Sequence, residues 1–278
     1  MRKKWTSEDN NFLRENYHRL SYEKIVERLG RSGGAIRQQA YKLGLSKFPD
    51  DISFFENWSS DSAYVVGFWA ADGYANVREG KGIALSITQK SRDILEQIQK
   101  LLGTGNLYYI HQYDSYRLEW HSRNGYKWLN SIFGHNVEHK SRTMQWPNIP
   151  NGYVRDFIRG YFDGDGHISI DGRGTPQMRF YCGSEEFRAR LMDKISQCTG
   201  IEGTTSTAIN DVYLALYIGV KAICLAKWLY SDCKTIVLKR KKEVADEMMS
   251  LRKRYNRASV TPKMRASFPS ILDRKAYE

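Results

Sequence analysis

The sequence contains an internal duplication, and no other feature constrains the fold as strongly. Residues 63–76 spell AYVVGFWAADGYAN, and residues 156–169 spell DFIRGYFDGDGHIS. A shift of 93 residues superposes the glycine and the aspartate of each segment: Gly67 on Gly160, and Asp72 on Asp165. A sequence unit that recurs at this spacing predicts one structural unit built twice. We therefore expect two similar halves related by a pseudo-two-fold axis in one monomer.

The residues after each segment predict the same order of elements in both halves. Strict alternation of apolar and polar residues predicts strands, for example in IALSIT at 83–88, and apolar stripes at helical spacing predict helices, for example at 91–102. Each half is predicted as αββαββα, which makes the fold class α+β, with a small all-α domain before it. The predicted divisions are 1–47 for the helical domain, 48–60 for a linker, 61–145 and 146–245 for the two repeats, and 246–278 for a basic C-terminal helix and tail.

Small residues and carboxylates in the two segments predict a metal site. Glycine and alanine let two helices approach closely, and each helix would end at its aspartate. Two carboxylates at the negative ends of adjacent helices repel each other unless a cation lies between them. Oxygen ligands favour a hard divalent ion such as Mg²⁺. Asp-Gly is also a common turn pair, but the duplication favours the functional interpretation.

The two segments resemble the LAGLIDADG motif of homing endonucleases, as VVGFWAADG at 65–73 and IRGYFDGDG at 158–166. The resemblance covers roughly 61–245 and implies metal-dependent hydrolysis of double-stranded DNA. It implies a site at Asp72 and Asp165, flanked by Ala71 and Gly164, for Mg²⁺, which Mn²⁺ or Ca²⁺ can replace in vitro. The first motif has Ala70 where the pattern has its first acid, which leaves the metal-binding aspartates intact.

Further catalytic candidates come from the same resemblance, which implies a lysine after the last helix of each repeat. Lys140 and Lys234 occupy such places, and the alternative is that these lysines only contact phosphates. Gln89, at the end of a strand, is another candidate. Its counterpart region, Gly183 and Ser184, has no amide, so we expect two unequal half-sites.

The N-terminal residues 5–45 predict three short helices that resemble Myb/SANT-like helix-turn-helix domains. The third helix, SGGAIRQQAYKLGL, would face Arg37, Gln38 and Tyr41 outward. Arginine and glutamine can bind guanine and adenine bidentately in a major groove. A small helical cap or a protein-docking domain is the alternative.

Charge and strand alternation support a nucleic-acid partner. Residues 1–47 hold 11 basic against 5 acidic side chains, residues 234–278 hold 13 against 5, and the middle holds 19 against 21. Basic flanks favour phosphate contacts, although a merely soluble basic protein would also fit. The polar sheet faces carry a mixture of donors and acceptors, and the alternative is an ordinary solvated face. The predicted contacts there and on a basic run, LKRKK at 238–242, are Asn76, Arg78, Ser86, Thr88, Lys90, Arg117, Glu119, His121, Ser169, Arg173, Gln177, Arg179, Tyr181, Lys239 and Arg240.

Three functions remain open from the sequence. They are a site-specific endonuclease, an RNA-splicing maturase and a non-cleaving regulator on the same fold. The presence of both acids favours the endonuclease, free-standing or encoded in a mobile intron. The four cysteines have no metal-site spacing and predict no disulfides. The N-terminus has no apolar run of a secretion signal, and no stretch is long enough to span a bilayer. We therefore expect a cytoplasmic protein of a prokaryote or phage, or an organellar one.

Overall fold

The computed structural model describes residues 4–17, 20, 22–45, 53–78, 82–134, 137–207, 212–233, 236–251 and 260–272. Three helices come first and are followed by one short helical turn. They are α1 (Ser7–Asn16), α2 (Tyr22–Leu29), α3 (Gly33–Lys42) and α4 (Ser53–Glu56). The first three enclose a small core of their own, formed by Leu13, Tyr17, Ile25, Leu29, Ile36 and Ala40.

The two halves then follow with the same order of elements. The first half consists of α5 (Ser60–Asp72), β1 (Gly73–Arg78), β2 (Gly82–Gln89), α6 (Arg92–Leu102), β3 (Asn106–Ile110), β4 (Ser115–His121) and α7 (Arg123–Phe133). A short helix, α8 (Lys140–Thr143), leads to the second half. That half consists of α9 (Val154–Asp165), β5 (Gly166–Ile170), β6 (Pro176–Cys182), α10 (Glu185–Thr199), β7 (Thr204–Thr207), β8 (Tyr213–Ile218) and α11 (Val220–Tyr230). The predicted duplicated αββαββα fold is confirmed.

Each half forms a four-stranded antiparallel sheet, and the two sheets have the same topology and register. Their strand orders are β1-β2-β4-β3 and β5-β6-β8-β7. In the first sheet Gly73 pairs with Ile87, and in the second Gly166 pairs with Phe180. Both partners differ by the same 93 residues that separate the two motifs. The pseudo-symmetry therefore extends from the motifs into the hydrogen bonding of the sheets.

The two motif helices, α5 and α9, cross at their paired glycines. A Cβ atom placed on Gly67 would lie 2.0 Å from the carbonyl oxygen of Phe157, and one placed on Gly160 would lie 2.0 Å from that of Tyr64. No side chain can be accommodated at these distances, so only glycine allows the backbones to meet. This contact joins the halves into one hydrophobic core. It also brings the C-terminal ends of the two helices close together in space.

The C-terminal segment begins with α12 (Lys239–Ser250), which starts before the predicted division at 245/246. After it come α13 (Pro262–Ser267) and α14 (Pro269–Leu272). Met264, Phe268 and Leu272 are buried in the main core. Residues 260–272 of the predicted tail therefore pack on the body, because apolar side chains at helical spacing anchor them there.

Other predictions concern the linker, the cysteines and the membrane. Phe55 of α4, in the predicted linker, is buried in the main core, with its ring 5.5 Å from that of Trp128.

The four cysteines, all of which the structure describes, form no disulfide. Within the described part of the chain, every helix is too short or too polar to cross a membrane.

Candidate active site

Asp72 and Asp165 are the last residues of the two crossing helices, and in each case a strand begins at the next residue. A Cβ on Gly73 would lie 2.2 Å from the carbonyl oxygen of Trp69, which leaves no room for any other residue. The backbone of Gly73 is extended, with a φ of −82°. The Asp72-Gly73 pair therefore passes from helix to strand and does not form a left-handed turn. The turn interpretation of the sequence is therefore wrong, and both carboxylates lie at the bottom of the helix interface.

Burial raises the pKa of both carboxyl groups, and repulsion from Asp165 adds to the effect on Asp72. Burial, followed by the charge of Asp165, raises the pKa of Asp72 to about 7, against the effects of Lys241, Lys140 and Gln89. Burial also raises the pKa of Asp165, against the effects of Lys140 and Lys241. Each helix adds the negative end of its dipole at this point. The pair therefore holds protons more tightly than ordinary carboxylates and gains most from a bound cation.

Two buried lysines flank the carboxylates in equivalent positions. The Nζ of Lys140 donates to the carbonyl oxygens of Ala70 at 2.9 Å and Ala71 at 3.4 Å, and it lies 5.2 Å from the ring centre of Trp69. Lys241 likewise contacts the three residues that match these after a shift of 93. Its Nζ donates to the backbone carbonyl oxygens of Asp163 at 2.9 Å and Gly164 at 3.4 Å, and it lies 5.1 Å from the ring centre of Phe162. Two further bonds reach Phe162 at 2.5 Å and Gly166 at 2.6 Å.

Burial lowers the pKa of each of these lysines to about 8. The nearby aspartates oppose that shift but do not cancel it. An amine with a pKa near 8 exchanges a proton readily close to neutral pH. Lys140 and Lys241 are therefore chemically suited to proton transfer, and not only to charge neutralisation.

Lys241 is the functional candidate that the sequence analysis missed. Lys234, predicted as the partner of Lys140, lies outside the described residues, and Lys241 fills the position equivalent to Lys140. Its run, LKRKK, is predicted to contact phosphates, but Lys241 is only 2% exposed and cannot serve that purpose. Lys239 and Arg240 of the same run are exposed. The sequence signal for Lys241 was its position in the helix. Four consecutive cations begin α12, and helical geometry directs one of them toward the core.

Gln89 has no equivalent in the second half-site. Its side-chain amide donates to a carboxylate oxygen of Asp72 at 2.8 Å. Gln89 pairs with Tyr116 at the end of β2, and Cys182 pairs with Tyr213 at the end of β6. The counterpart of Gln89 is therefore Cys182, one residue before the predicted region. Since a buried thiol offers no strong donor to Asp165, the two half-sites are unequal as expected.

The donor set fits a divalent cation. No group of three or more His, Cys, Asp or Glu side chains suited to a metal occurs among the residues that the structure describes. The site instead offers two carboxylates and nearby backbone carbonyls, among them those of Ala71 and Gly164. A Cβ on Gly164 would lie 2.4 Å from the Cβ of Ala71 and 3.3 Å from a carboxylate oxygen of Asp72. Such hard oxygen ligands, completed by water, suit Mg²⁺ or Ca²⁺.

The predicted DNA contacts of the first sheet share one face. Thr88 pairs with Arg117, whose Nε donates to the Thr88 hydroxyl at 3.2 Å. Asn76 and Glu119 are partly exposed, and Lys90 and His121 are exposed. Ser86 is only 6% exposed and offers a base little surface. Arg78 ends β1, and its side chain is outside the described set.

The second sheet presents a similar face. The Arg179 guanidinium donates to the Gln177 side chain at 2.5 Å. Ser169, which pairs with Gln177, and Tyr181 are partly exposed, and Arg173 is exposed in the preceding loop. Alternation along the strands also identifies three exposed members of these faces that the sequence analysis did not select: Tyr74, Tyr108 and His167.

In the N-terminal domain, the exposed side of α3 carries the predicted residues. Arg37 and Gln38 are exposed, and Tyr41 is 86% exposed. Arg31 stabilises the domain from within, because its guanidinium donates to Asp9 at 2.6 Å and lies 4.0 Å from the ring centre of Trp5. The outward residues of α3 thus project from a packed scaffold.

Comparison with known proteins yields one relative and a set of related folds. The chain is 31% identical over 104 residues to a probable translation initiation factor IF-2 of Thermococcus kodakarensis. That match covers 35% of this chain and 9% of the relative, so the chain spans about a tenth of that protein.

Solved structures are similar to this chain at low sequence identity. The homing endonuclease I-DmoI in complex with DNA and Ca has a TM-score of 0.50 and 16% identity, over 67% of this chain and 97% of that one. Full-length DUF199/WhiA from Thermatoga maritima has a TM-score of 0.47 and 12% identity, over 70% of this chain and 61% of that one, less than two thirds of its length. A family model described as the LAGLIDADG-like domain matches residues 59–129 and 152–220, which contain both motifs and all strands of the two described sheets. This chain belongs to the LAGLIDADG-like domain family.

Proposed function

We propose that this chain is a divalent-metal-dependent endonuclease that hydrolyses one phosphodiester bond in each strand of a long, asymmetric double-stranded DNA site. The observation that carries the proposal is the pair of buried carboxylates at the ends of two crossing helices. Structural neighbours that are homing endonucleases, one of them described in complex with DNA and Ca, support it. Since one chain supplies both aspartates, a monomer is sufficient.

The chain's own residues can perform distinct steps. Asp72 and Asp165 would hold the metal with the carbonyls beside them, and Gln89 fixes the orientation of Asp72. A divalent ion bound there supplies activation of water and stabilisation of the leaving oxygen. Lys140 and Lys241 can accept a proton from the attacking water or donate one to the leaving group. The polar sheet faces would lie along the major groove, and exposed Lys239 and Arg240 would contact phosphates.

The direct test is selection of cleaved sites from a randomised DNA pool. With Mg²⁺ we expect double-strand breaks within one preferred sequence. Removing the metal with EDTA should abolish them, because no cation then activates the attacking water or stabilises the leaving oxygen. Binding without cleavage in Mg²⁺, Mn²⁺ and Ca²⁺ alike would favour a non-cleaving regulator. Preference for an intron RNA over duplex DNA would favour a maturase.

We also propose that the N-terminal domain binds DNA through α3. The Arg37→Ala/Gln38→Ala double variant should relax base preference at one end of the site, by about 1–3 kcal/mol for each bidentate hydrogen-bonded pair that it removes. Cleavage at saturating protein should stay near normal, since these residues are far in sequence from the aspartates. Footprinting and selection on the variant pool measure both effects.

The matched control is Arg14→Ala, which removes an exposed arginine from α1 instead of α3. It should weaken binding uniformly at most, without changing base preference. Unchanged preference in the double variant would instead support the alternative of a protein-docking domain.

A further inference from the structure

Asp163, the first acid of the second motif, is completely buried and belongs to neither the metal site nor the DNA face. Its carboxylate accepts three hydrogen bonds from three separate segments. The Tyr64 hydroxyl donates at 2.7 Å, the Tyr230 hydroxyl at 2.6 Å and the backbone N–H of Leu238 at 2.9 Å. A buried carboxyl group that accepts three hydrogen bonds holds those segments together, because each donor would otherwise be left unsatisfied.

Two of the three hydrogen bonds are made at the two ends of the segment that connects α11 to α12. Tyr230 is the last residue of α11, and Leu238 is the residue immediately before α12. Leu238 has no polar side chain that could cap that helix, and its own backbone N–H donates to the Asp163 carboxylate. The Asp163 carboxylate therefore links the residue that precedes α12 to α9.

Lys241 lies in the first turn of α12, three residues after Leu238. The position of its ammonium group depends on where that turn begins. From there it reaches four carbonyl oxygens at the end of α9, including that of Gly166, and it contributes to the charge felt by both metal-site aspartates. A shift of the first turn by one or two ångströms would break these bonds, whose lengths leave little slack.

The first half-site has no carboxyl group at the position equivalent to Asp163. The residue that matches Asp163 after a shift of 93 is Ala70. Lys140 donates to carbonyl oxygens at the end of α5, but no carboxylate at position 70 anchors the segment that carries it. The two lysines are therefore equivalent in position and different in how they are supported.

We propose that Asp163 is a positioning residue that holds Lys241 against the end of α9, and that it thereby controls the half-site built on Asp165 and not the one built on Asp72. The effect on catalysis rests on the proposed function, whereas the effect on Lys241 does not. Tyr64 extends the support across the interface, since it reaches Asp163 from the helix of the other half.

The structural half of the test uses the metal-free full-length chain at one fixed pH. Lysine acylation by an amine-reactive reagent is followed at each site by mass spectrometry. Lys140 and Lys241 are 5% and 2% exposed and should both be protected in the natural sequence. In Asp163→Ala, acylation of Lys241 should accelerate about tenfold or more through local opening of α12, while Lys140 remains protected.

Two milder variants keep the test decisive if Asp163→Ala fails to fold. Asp163→Asn retains the shape, and Tyr230→Phe removes one donor, so both should expose Lys241 selectively to a smaller degree. Tyr161→Phe is the matched control, because Tyr161 is also a buried tyrosine whose hydroxyl is hydrogen bonded, here to the carbonyl oxygen of Tyr181 at 2.9 Å. It should leave Lys241 protected. Equal exposure of both lysines in the Asp163 variants, or of neither, would overturn the proposal.

The catalytic half uses a duplex whose two strands carry different end labels. In Asp163→Asn and Tyr230→Phe, nicking of one strand should slow about tenfold or more while the other keeps its rate, so that nicked duplex accumulates. Equal slowing of both strands would contradict selective control by Asp163. Absence of cleavage by the natural sequence itself would refute the proposed function, and the acylation result would still decide the role of Asp163.

Discussion

In the Asp72→Asn variant, the rate of double-strand cleavage is expected to fall by about 10³-fold or more. An amide cannot supply the charge that holds the metal. Asp165→Asn should behave in the same way. Plasmid cleavage in Mg²⁺ at saturating protein measures this loss. DNA binding in Ca²⁺ should change far less, since the sheet faces and α3 are untouched.

The same variant should make the metal-free protein more stable. Asp72 has a pKa of about 7 in the folded chain and an ordinary value of 3.8 when unfolded. A carboxyl whose pKa is raised on folding binds its proton more tightly in the folded state, so folding stability falls as pH rises from about 4 to about 7. Asparagine does not titrate. The gain should therefore be absent near pH 4 and reach about 1–3 kcal/mol above pH 7, allowing for screening by solvent.

Loss of activity with a gain in stability separates an active-site role from simple unfolding. Denaturant unfolding without metal at pH 5 and pH 8 supplies the second measurement. Asp93→Asn, an exposed aspartate in the first turn of α6, is the control and should change neither quantity appreciably. Cleavage at the natural rate by both motif variants would show that the active site lies elsewhere.

Gly160→Ala and Gly67→Ala should each lower the free energy of unfolding by about 3 kcal/mol or more. The added methyl group would lie 2.0 Å from a backbone carbonyl oxygen of the opposite helix, which cannot rotate away. The helices must separate, and the carboxylates at their ends separate with them. We therefore expect cleavage to fall more than the loss of folded protein explains.

Gly34→Ala is the matched control, because Gly34 is also helical but has nothing within 4 Å of its added Cβ. Alanine should stabilise the small N-terminal domain slightly, by about 0.5–1 kcal/mol, as it does in open helices. Denaturant unfolding followed by tryptophan fluorescence gives all three values. A neutral Gly160→Ala would show that the helices do not cross as closely as described.

The sequence predicted the duplication, the strand alternation and the aspartates at the helix ends because these are periodic or repeated patterns. It missed Lys241, because a cation within LKRKK resembles any exposed basic run unless the helical phase of residues 238–248 is taken into account. It placed the counterpart of Gln89 one residue late, although the 93-residue shift between the motifs leads from Gln89 to Cys182. Residues 260–272 resembled a tail because the core that buries them is formed by distant parts of the chain.

The duplicated motif by itself determined that two helices cross at glycine and present an aspartate each, since that information is local and occurs twice. Only the tertiary structure decided what surrounds those aspartates. Lys140 and Lys241 lie 70 and 78 residues along the chain from carbonyls that they contact, and Tyr64 meets Asp163 across 99 residues. Burial and proximity change pKa values and select donors, and both depend on contacts between segments that no single stretch of sequence contains.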